Sequence, residues 1–357
     1  MELIKDFTFG GFPCRAAFYN MNELFPQYTA LFVADSNTES LISRPSGVEQ
    51  ASGSRYETGI DSGPLPEIIL TPGEEGKQWP AVDSILKLAM KKGLARDSII
   101  CGAGGGVVTD MTAFAGSLYM RGCRVILIPT SLLSMVDAAL GGKTGIDAGV
   151  YKNMIGSFYP AEEVRICPEI LKTLPEAEYW AGMGEVIKTA IIGDAELMDL
   201  IRDNKEALKA RDPEILKDII RRCMLVKGAL VEEDLREKGR RAYLNLGHTF
   251  GHALEAVSEF RWAHGLGVVW GMGKALDASV AMGLAHQDWA ESLKELFRDL
   301  GYKLDASESP EAMLRAMQMD KKKKGGRLRY IIPAGPQDIR IEYLEPEFVL
   351  EILKSGR

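Results

Sequence analysis

The sequence predicts two domains: an α/β amino-terminal domain with a Rossmann-like, mostly parallel sheet, then an all-α carboxyl-terminal domain. Three observations predict this. The length of 357 residues fits about two domains of roughly 100–200 residues each. Up to about residue 168, short apolar runs ending in Gly, Asp or Pro alternate with stretches of helical periodicity, as in a parallel α/β unit. Beyond that point long amphipathic stretches take over. The domains are accordingly placed at 1–168 and 169–357.

In chain order, Ala30-Leu-Phe-Val-Ala-Asp reads as the first buried strand, ending on Asp35. The segment 38–64, rich in Ser, Gly and Glu, reads as a loop or irregular insertion. Glu67-Ile-Ile-Leu is a short strand before the turn Thr71-Pro-Gly-Glu, and Trp79–Lys92 has helical periodicity. Ser98-Ile-Ile-Cys is a strand running into Gly102-Ala-Gly-Gly-Gly. Asp110–Met120 reads as a helix and Arg124–Pro129 as a strand. The helical half comprises Ala177–Ile192, Ala195–Leu208, Pro213–Glu233, Gly247–Ser258 and Val268–Met282. The run Lys321–Lys324 is either a solvated face or a cluster that closes over an anion.

Composition narrows the function. A net charge of −7 leaves no electrostatic footprint for nucleic acid. Cys14, Cys101, Cys123, Cys167 and Cys223 are odd in number and lack CxxC spacing, which fits a reduced cytoplasm and disfavours a disulfide scaffold. The amino terminus is not a signal peptide, and no run approaches the roughly 20 apolar residues of a membrane span.

Four motifs carry candidate chemistry. Gly104-Gly-Gly-Val-Val-Thr-Asp follows a strand and opens a helix. Glycines there let backbone N–H groups approach a pyrophosphate, although a tight strand–helix turn would look the same. Asp35 is a candidate acceptor for a ribose hydroxyl. Gly141-Gly-Lys-Thr-Gly resembles the end of a phosphate loop, but the upstream glycine is absent, with Asp at 137, so a Walker-type loop is rejected. Gly182-Met-Gly-Glu-Val-Ile-Lys sets Glu185 and Lys188 one helical turn apart, either as an ion pair or as a metal carboxylate beside a cation. Finally, three of the four histidines, His248, His252 and His264, fall close together. One glutamate and two histidines make a catalytic zinc set. From spacing alone the i, i+4 pair His248 and His252 is the ligand pair, with helix-packing histidines as the alternative.

These motifs, together with Tyr119-Met-Arg-Gly, Ile128-Pro-Thr-Ser-Leu-Leu, Val136-Asp, Lys152-Asn-Met-Ile-Gly, Thr173-Leu-Pro and Leu244-Asn-Leu-Gly-His-Thr-Phe-Gly-His, occur in the order of a known family. The chain resembles the 3-dehydroquinate synthases of the sugar phosphate cyclase superfamily, most strongly over residues 100–285. The resemblance implies an NAD-binding amino-terminal domain and a metal-binding helical domain. It also implies a lyase of the shikimate pathway of aromatic amino acid biosynthesis. That activity converts 3-deoxy-D-arabino-heptulosonate 7-phosphate (DAHP) into 3-dehydroquinate and phosphate. Its steps are transient oxidation by NAD⁺, β-elimination of phosphate, reduction by the same cofactor and intramolecular aldol closure, so no net NADH forms. One divalent metal, Zn²⁺ or Co²⁺, is implied, as is a cytoplasmic homodimer.

The resemblance also distributes roles. Glu185, His248 and His264 match metal ligands, and His252 becomes a catalytic acid/base residue, which displaces the choice made from spacing. Lys143, Lys188, Arg241, Asn245 and Glu237 match catalytic positions. Asn153, Lys227 and Lys322 match substrate contacts, and Arg121 matches an arginine reaching the phosphate from the neighbouring subunit. Asp35, Asn37, Glu74, Lys77, Gly105, Gly106, Asp110, Thr130, Ser131, Asp137, Lys152 and Thr173 match NAD contacts. The basic set suits a substrate with a phosphate and a carboxylate.

The chain departs from the family at three places. Gly149-Val-Tyr-Lys-Asn stands where Pro-Leu-Gly-Lys-Asn is usual, so Tyr151 replaces a glycine; Gly184 replaces an alanine; and residues 38–64 match poorly. The alternatives are another sugar phosphate cyclase (2-epi-5-epi-valiolone, 2-deoxy-scyllo-inosose or aminodehydroquinate synthase), a metal-dependent polyol dehydrogenase of the same fold, or an inactive NAD-binding protein. Arg241, Asn245 and Asp320-Lys-Lys favour a carboxylate-bearing substrate.

Overall fold

The computed structural model describes residues 1–26, 31–39, 67–149, 151–259, 261–323 and 329–355, with backbone alone at 320–323. The segment read as a loop, 38–64, lies outside the described residues beyond Glu39. The chain divides into two compact units, Met1–Leu174 and Pro175–Arg357.

The first unit is built on a seven-stranded sheet. Its strands are β1 (Glu2–Phe9), β2 (Phe12–Phe18), β3 (Leu31–Asp35), β4 (Ile68–Leu70), β5 (Ile99–Gly104), β6 (Arg124–Pro129) and β9 (Glu163–Ile166), in spatial order β1-β2-β9-β6-β5-β3-β4. Only β1 and β2 pair antiparallel; every other pairing in this sheet is parallel. The central strands are apolar on both faces because both faces are covered. On β3, Leu31 and Val33 pack with Val82, Ile85 and Met111, while Phe32 and Ala34 pack with Ile126, Ile128 and Ile170. Helices α1 (Trp79–Lys91) and α2 (Gly106–Leu118) supply the first of these two cores.

Two features differ from expectation. The strand ending on Asp35 is the third, because the β1–β2 hairpin precedes it. Helix α2 begins at Gly106 rather than Asp110, directly after the strand, with Gly105 as its extended N-cap. A second, separate ribbon, β7 (Lys143–Ala148) with β8 (Tyr151–Phe158), runs antiparallel through the stretch that contains Lys143, Lys152 and Asn153.

The second unit consists of α3 (Glu176–Gly193), α4 (Ala195–Asp203), α5 (Lys205–Lys209), α6 (Pro213–Glu233), α7 (His248–Val257), α8 (His264–Ala281), α9 (Gln287–Asp299), α10 (Pro310–Lys323) and α11 (Pro346–Lys354). It is not all-α, since β10 (Tyr330–Gly335) and β11 (Asp338–Glu342) form a two-stranded ribbon. The stretch Ala195–Leu208 is two helices broken at Asn204, which leaves helical geometry with φ −119° and donates its side-chain amide to Leu200 O. The side chains on α3 and α8 are largely buried all round, as befits helices enclosed by others. No described helix is long and apolar enough to cross a membrane.

Candidate metal and nucleotide sites

In the helical unit, Glu185 projects from α3, His248 opens α7, His252 lies one turn on, and His264 opens α8. Close helix approach brings them together, and glycines permit it. A Cβ at Gly265 would lie 1.8 Å from the carbonyl oxygen of Ala181, and one at Gly184 would lie 2.5 Å from that of Gly265. Across α7 and α8, a Cβ at Gly251 would lie 2.7 Å from Gly267 O, and one at Gly271 2.1 Å from Gly247 O. Side chains at these seams would push the helices apart.

Glu185 Oε1 lies 3.7 Å from His248 Nε2 and 3.6 Å from His264 Nε2. Tetrahedral ligands at about 2.1 Å from zinc stand about 3.4 Å apart, so these separations suit a divalent ion between them. Ligand nitrogens of His248, His252 and His264 all lie within 4.8 Å of one another. Glu185 is 1% exposed, and its Oε1 accepts no hydrogen bond among the described residues. Its only described cation is Lys188, which contacts Oε2. A buried carboxylate left this way is costly, and a cation held by Oε1 would offset that cost.

The imidazoles are oriented for the same task. His248 Nδ1 lies 3.2 Å from Leu246 O and His264 Nδ1 lies 3.0 Å from Glu255 Oε1. An acceptor opposite Nδ1 places the ring proton there and leaves the Nε2 lone pair for a metal. Burial, then the Lys188 cation, holds the His248 pKa well below its ordinary value, which keeps the ring neutral. For His264, burial pulls down, but the Glu255 hydrogen bond and the charges of Glu185 and Glu255 prevail and raise the pKa.

The same unit carries further buried cations. Lys188, Lys227 on α6 and Arg241 are all buried. Arg241 and Asn245 belong to the short turn Arg240–Asn245, which packs on α3 and α6. Asn245 Nδ2 donates to Glu237 Oε1, and Arg241 Nη1 donates to Leu235 O. Asp234 shapes the loop by accepting from Lys238 N at 2.9 Å and Gly239 N at 2.6 Å; Glu237 within it has φ +56°. Lys322 lies at a position whose side chain is outside the described residues.

In the first unit, Asp35, Asn37, Gly105, Gly106, Thr130 and Ser131 lie at the carboxyl ends of the parallel strands β3, β5 and β6. From β3 the chain passes to β4 on one side and β5 on the other, and such a switch point is where open α/β sheets bind ligands. Asp35 ends β3. Its Oδ1 accepts from Asn37 N at 3.0 Å, Thr38 N at 2.9 Å and Thr38 Oγ1 at 2.8 Å. Gly105 and Gly106 stand at the amino end of α2. Gly104 cannot carry a side chain, since a Cβ would lie 2.5 Å from Val108 Cγ2. Thr130 N donates to Gly104 O at 2.9 Å, tying β6 to β5, and Ser131 bonds Ser134 at 2.9 Å within the next turn, which also holds Asp137. Thr173 Oγ1 donates to Ile170 O at 2.8 Å.

Lys77, buried at 4% exposure, donates to Asp110 Oδ2 at 2.6 Å and to Asn153 Oδ1 at 2.7 Å, with Glu74 at 4.0 Å. Burial opposes its charge, but Asp110 and Glu74 prevail and raise its pKa. Asn153, at φ +55°, donates its backbone N–H to Asp147 Oδ1 at 2.7 Å. Lys143 and Lys152 are exposed on the β7–β8 ribbon. Arg121 is exposed at φ +63° and makes no ion pair among the described residues.

Two residues were not singled out from sequence. Glu255 was signalled only by its place at i+7 from His248, on the same helical face. Asp147 carried no signal, because the exposed β8 strand that brings Asn153 to it shows no alternation of apolar and polar residues.

A glycine-rich strand–helix turn at a sheet switch point and a carboxylate–histidine cluster in a helical unit together define a class of two-unit nucleotide- and metal-dependent enzymes. Comparison with known proteins makes this specific. The description "3-dehydroquinate synthase N-terminal" matches residues 67–181 and "3-dehydroquinate synthase C-terminal" matches residues 182–323. A 3-dehydroquinate synthase of Alkaliphilus metalliredigens (strain QYMF) is 38% identical over 302 residues, 84% of this chain and 85% of the relative. One of Shewanella sp. (strain MR-4) is 40% identical over 298 residues, 83% of each. The chain belongs to the 3-dehydroquinate synthase family. A solved 2-epi-5-epi-valiolone synthase from Streptomyces hygroscopicus subsp. jinggangensis 5008, with NAD⁺ and Zn²⁺ bound, shares the fold: TM-score 0.81 at 22% identity, over 96% of this chain and 95% of that one.

Proposed function

We propose that this chain is a phosphate-eliminating carbon–oxygen lyase that converts DAHP into 3-dehydroquinate and phosphate, the second step of the shikimate pathway. The observation that carries this reading is the buried Glu185 carboxylate facing two correctly oriented imidazoles, in a chain 38% identical to a 3-dehydroquinate synthase. Bound NAD⁺ supplies a reversible hydride acceptor, and a divalent metal, Zn²⁺ or Co²⁺, makes a substrate hydroxyl acidic.

The chain's own residues do the rest. Glu185, His248 and His264 hold the metal. His252, exposed beside them, moves protons at the reacting oxygens. Lys143 and Asn153 of the first unit, and Lys188, Lys227, Arg241 and Lys322 of the second, bind the carboxylate, phosphate and hydroxyl oxygens, and Glu237 holds Asn245 in place. In the first unit Asp35 would accept from a ribose hydroxyl, and Asn37, Gly105, Gly106, Thr130, Ser131 and Asp137 would contact the cofactor. Glu74, Lys77, Asp110, Lys152 and Thr173 complete its setting. The protein is a homodimer of the cytoplasm in this reading, and its five cysteines, all buried and none in a disulfide, suit a reducing compartment.

Purified protein given NAD⁺, Zn²⁺ and DAHP releases phosphate with no net NADH. Accumulating NADH would assign it to the dehydrogenases. Phosphate released from sedoheptulose 7-phosphate or glucose 6-phosphate, and not from DAHP, would assign it to another cyclase.

A further inference from the structure

Glu255 lies outside every set of residues discussed above as ligand, acid/base or substrate contact, yet it is the group that touches His264. It stands on α7 at i+7 from His248 and i+3 from His252, so the three share a helical face. It is 5% exposed, and its Oε1 lies 3.0 Å from His264 Nδ1. The seat it occupies depends on Gly267, where a Cβ would lie 3.1 Å from Glu255 Oε1 and 3.3 Å from its Cγ. The other ring of the pair, His248, faces a neutral backbone carbonyl instead. One imidazole is therefore oriented by a dipole and the other by a buried charge.

We infer that Glu255 is a positioning residue of the metal centre, fixing His264 in the tautomer and ring orientation that direct Nε2 at the ion beside Glu185. Three facts support it. An imidazole has two nitrogens, and the one facing a carboxylate carries the proton. Rotation of His264 away from Glu255 would leave a buried carboxylate unpartnered on α7, which holds the ring in place. A carboxylate behind an imidazole also makes the ligating nitrogen a better donor. The inference rests on the reading of His264 as a ligand, and its test separates the two.

Zn²⁺ affinity is measured by chelator competition on wild type, His264→Ala, Glu255→Leu and Glu255→Gln, alongside the thermal midpoint of each metal-free protein. His264→Ala loses the tight site. Glu255→Leu weakens Zn²⁺ binding roughly 10–100-fold. Glu255→Gln, near in shape and still offering an acceptor oxygen, loses less and keeps the metal-free midpoint of wild type. The visible spectrum of the Co²⁺-loaded Glu255→Leu protein changes as the third ligand is displaced. If both Glu255 variants bind Zn²⁺ like wild type while His264→Ala does not, the role given to Glu255 is wrong. If His264→Ala also binds like wild type, the ligand set itself is wrong.

Discussion

His252 sits 5.3 Å from His248 and 5.5 Å from His264, ring centre to ring centre, and is the exposed member of the three. Exposure suits a group that must take and return protons, whereas the half-buried pair facing Glu185 suits ligation. His252→Ala therefore retains one Zn²⁺ per chain and loses about 10²–10⁴-fold in turnover, the usual share of a general acid or base. Metal analysis of the purified variant checks it, and loss of Zn²⁺ would return His252 to the ligand set. At this scale the sequence was legible in part. Scarcity of histidine located the site, but i, i+4 spacing could not separate ligand from acid/base residue, because both lie on one face of α7. What favours His248 and His264 as the ligand pair is Glu185 on α3, whose Oε1 lies 3.7 Å and 3.6 Å from their Nε2 atoms.

Helices α3, α7 and α8 are the elements that build the centre, and their closeness depends on glycine. Gly265 tolerates no side chain, with a Cβ only 1.8 Å from Ala181 O. Gly184, where the family resemblance implies alanine, meets Gly265 O at 2.5 Å, so α3 and α8 approach here more closely than an alanine permits. Gly265→Ala overpacks this seam and costs about 1–3 kcal/mol, read as a lowered thermal midpoint, and weakens Zn²⁺ binding because Glu185 and His264 stand on opposite sides of the seam. An unchanged midpoint and unchanged affinity would show that the helices slide apart at no cost. Helix positions were readable from apolar periodicity, but these seams were not, since a glycine inside a helical pattern signals only lowered propensity. The β7–β8 ribbon was missed for a related reason. Every residue of β8 but Ser157 is exposed, so no alternation of apolar and polar residues marks it.

At the scale of the molecule, that ribbon carries large exposed apolar side chains. Met154, 69% exposed, and Phe158, 41% exposed, lie on one face of β8, with Tyr151 and Ile155 exposed on the other. An open strand of this kind is a template for pairing. The two-unit layout was legible because alternating and helical patterning change near the boundary; assembly was not, because a monomer's pattern does not distinguish an interface strand from a solvated one. Arg121 offers a test of assembly that does not depend on where the interface lies. It is exposed, held in a left-handed turn and without an ion pair among the described residues, as suits a side chain that serves a site other than its own. Arg121→Ala and His252→Ala are each inactive alone. In a chain carrying only Arg121→Ala, the site keeps its own His252 and would receive an intact arginine from a His252→Ala partner. Co-expressed in equal amounts, half of the dimers are mixed and each holds one complete site out of two, so activity recovers to about a quarter of wild type. Sedimentation of the same mixture shows twice the 39.2 kDa chain mass. A dimer without recovered activity would place Arg121 in its own subunit's site, and a monomer would remove the shared site altogether.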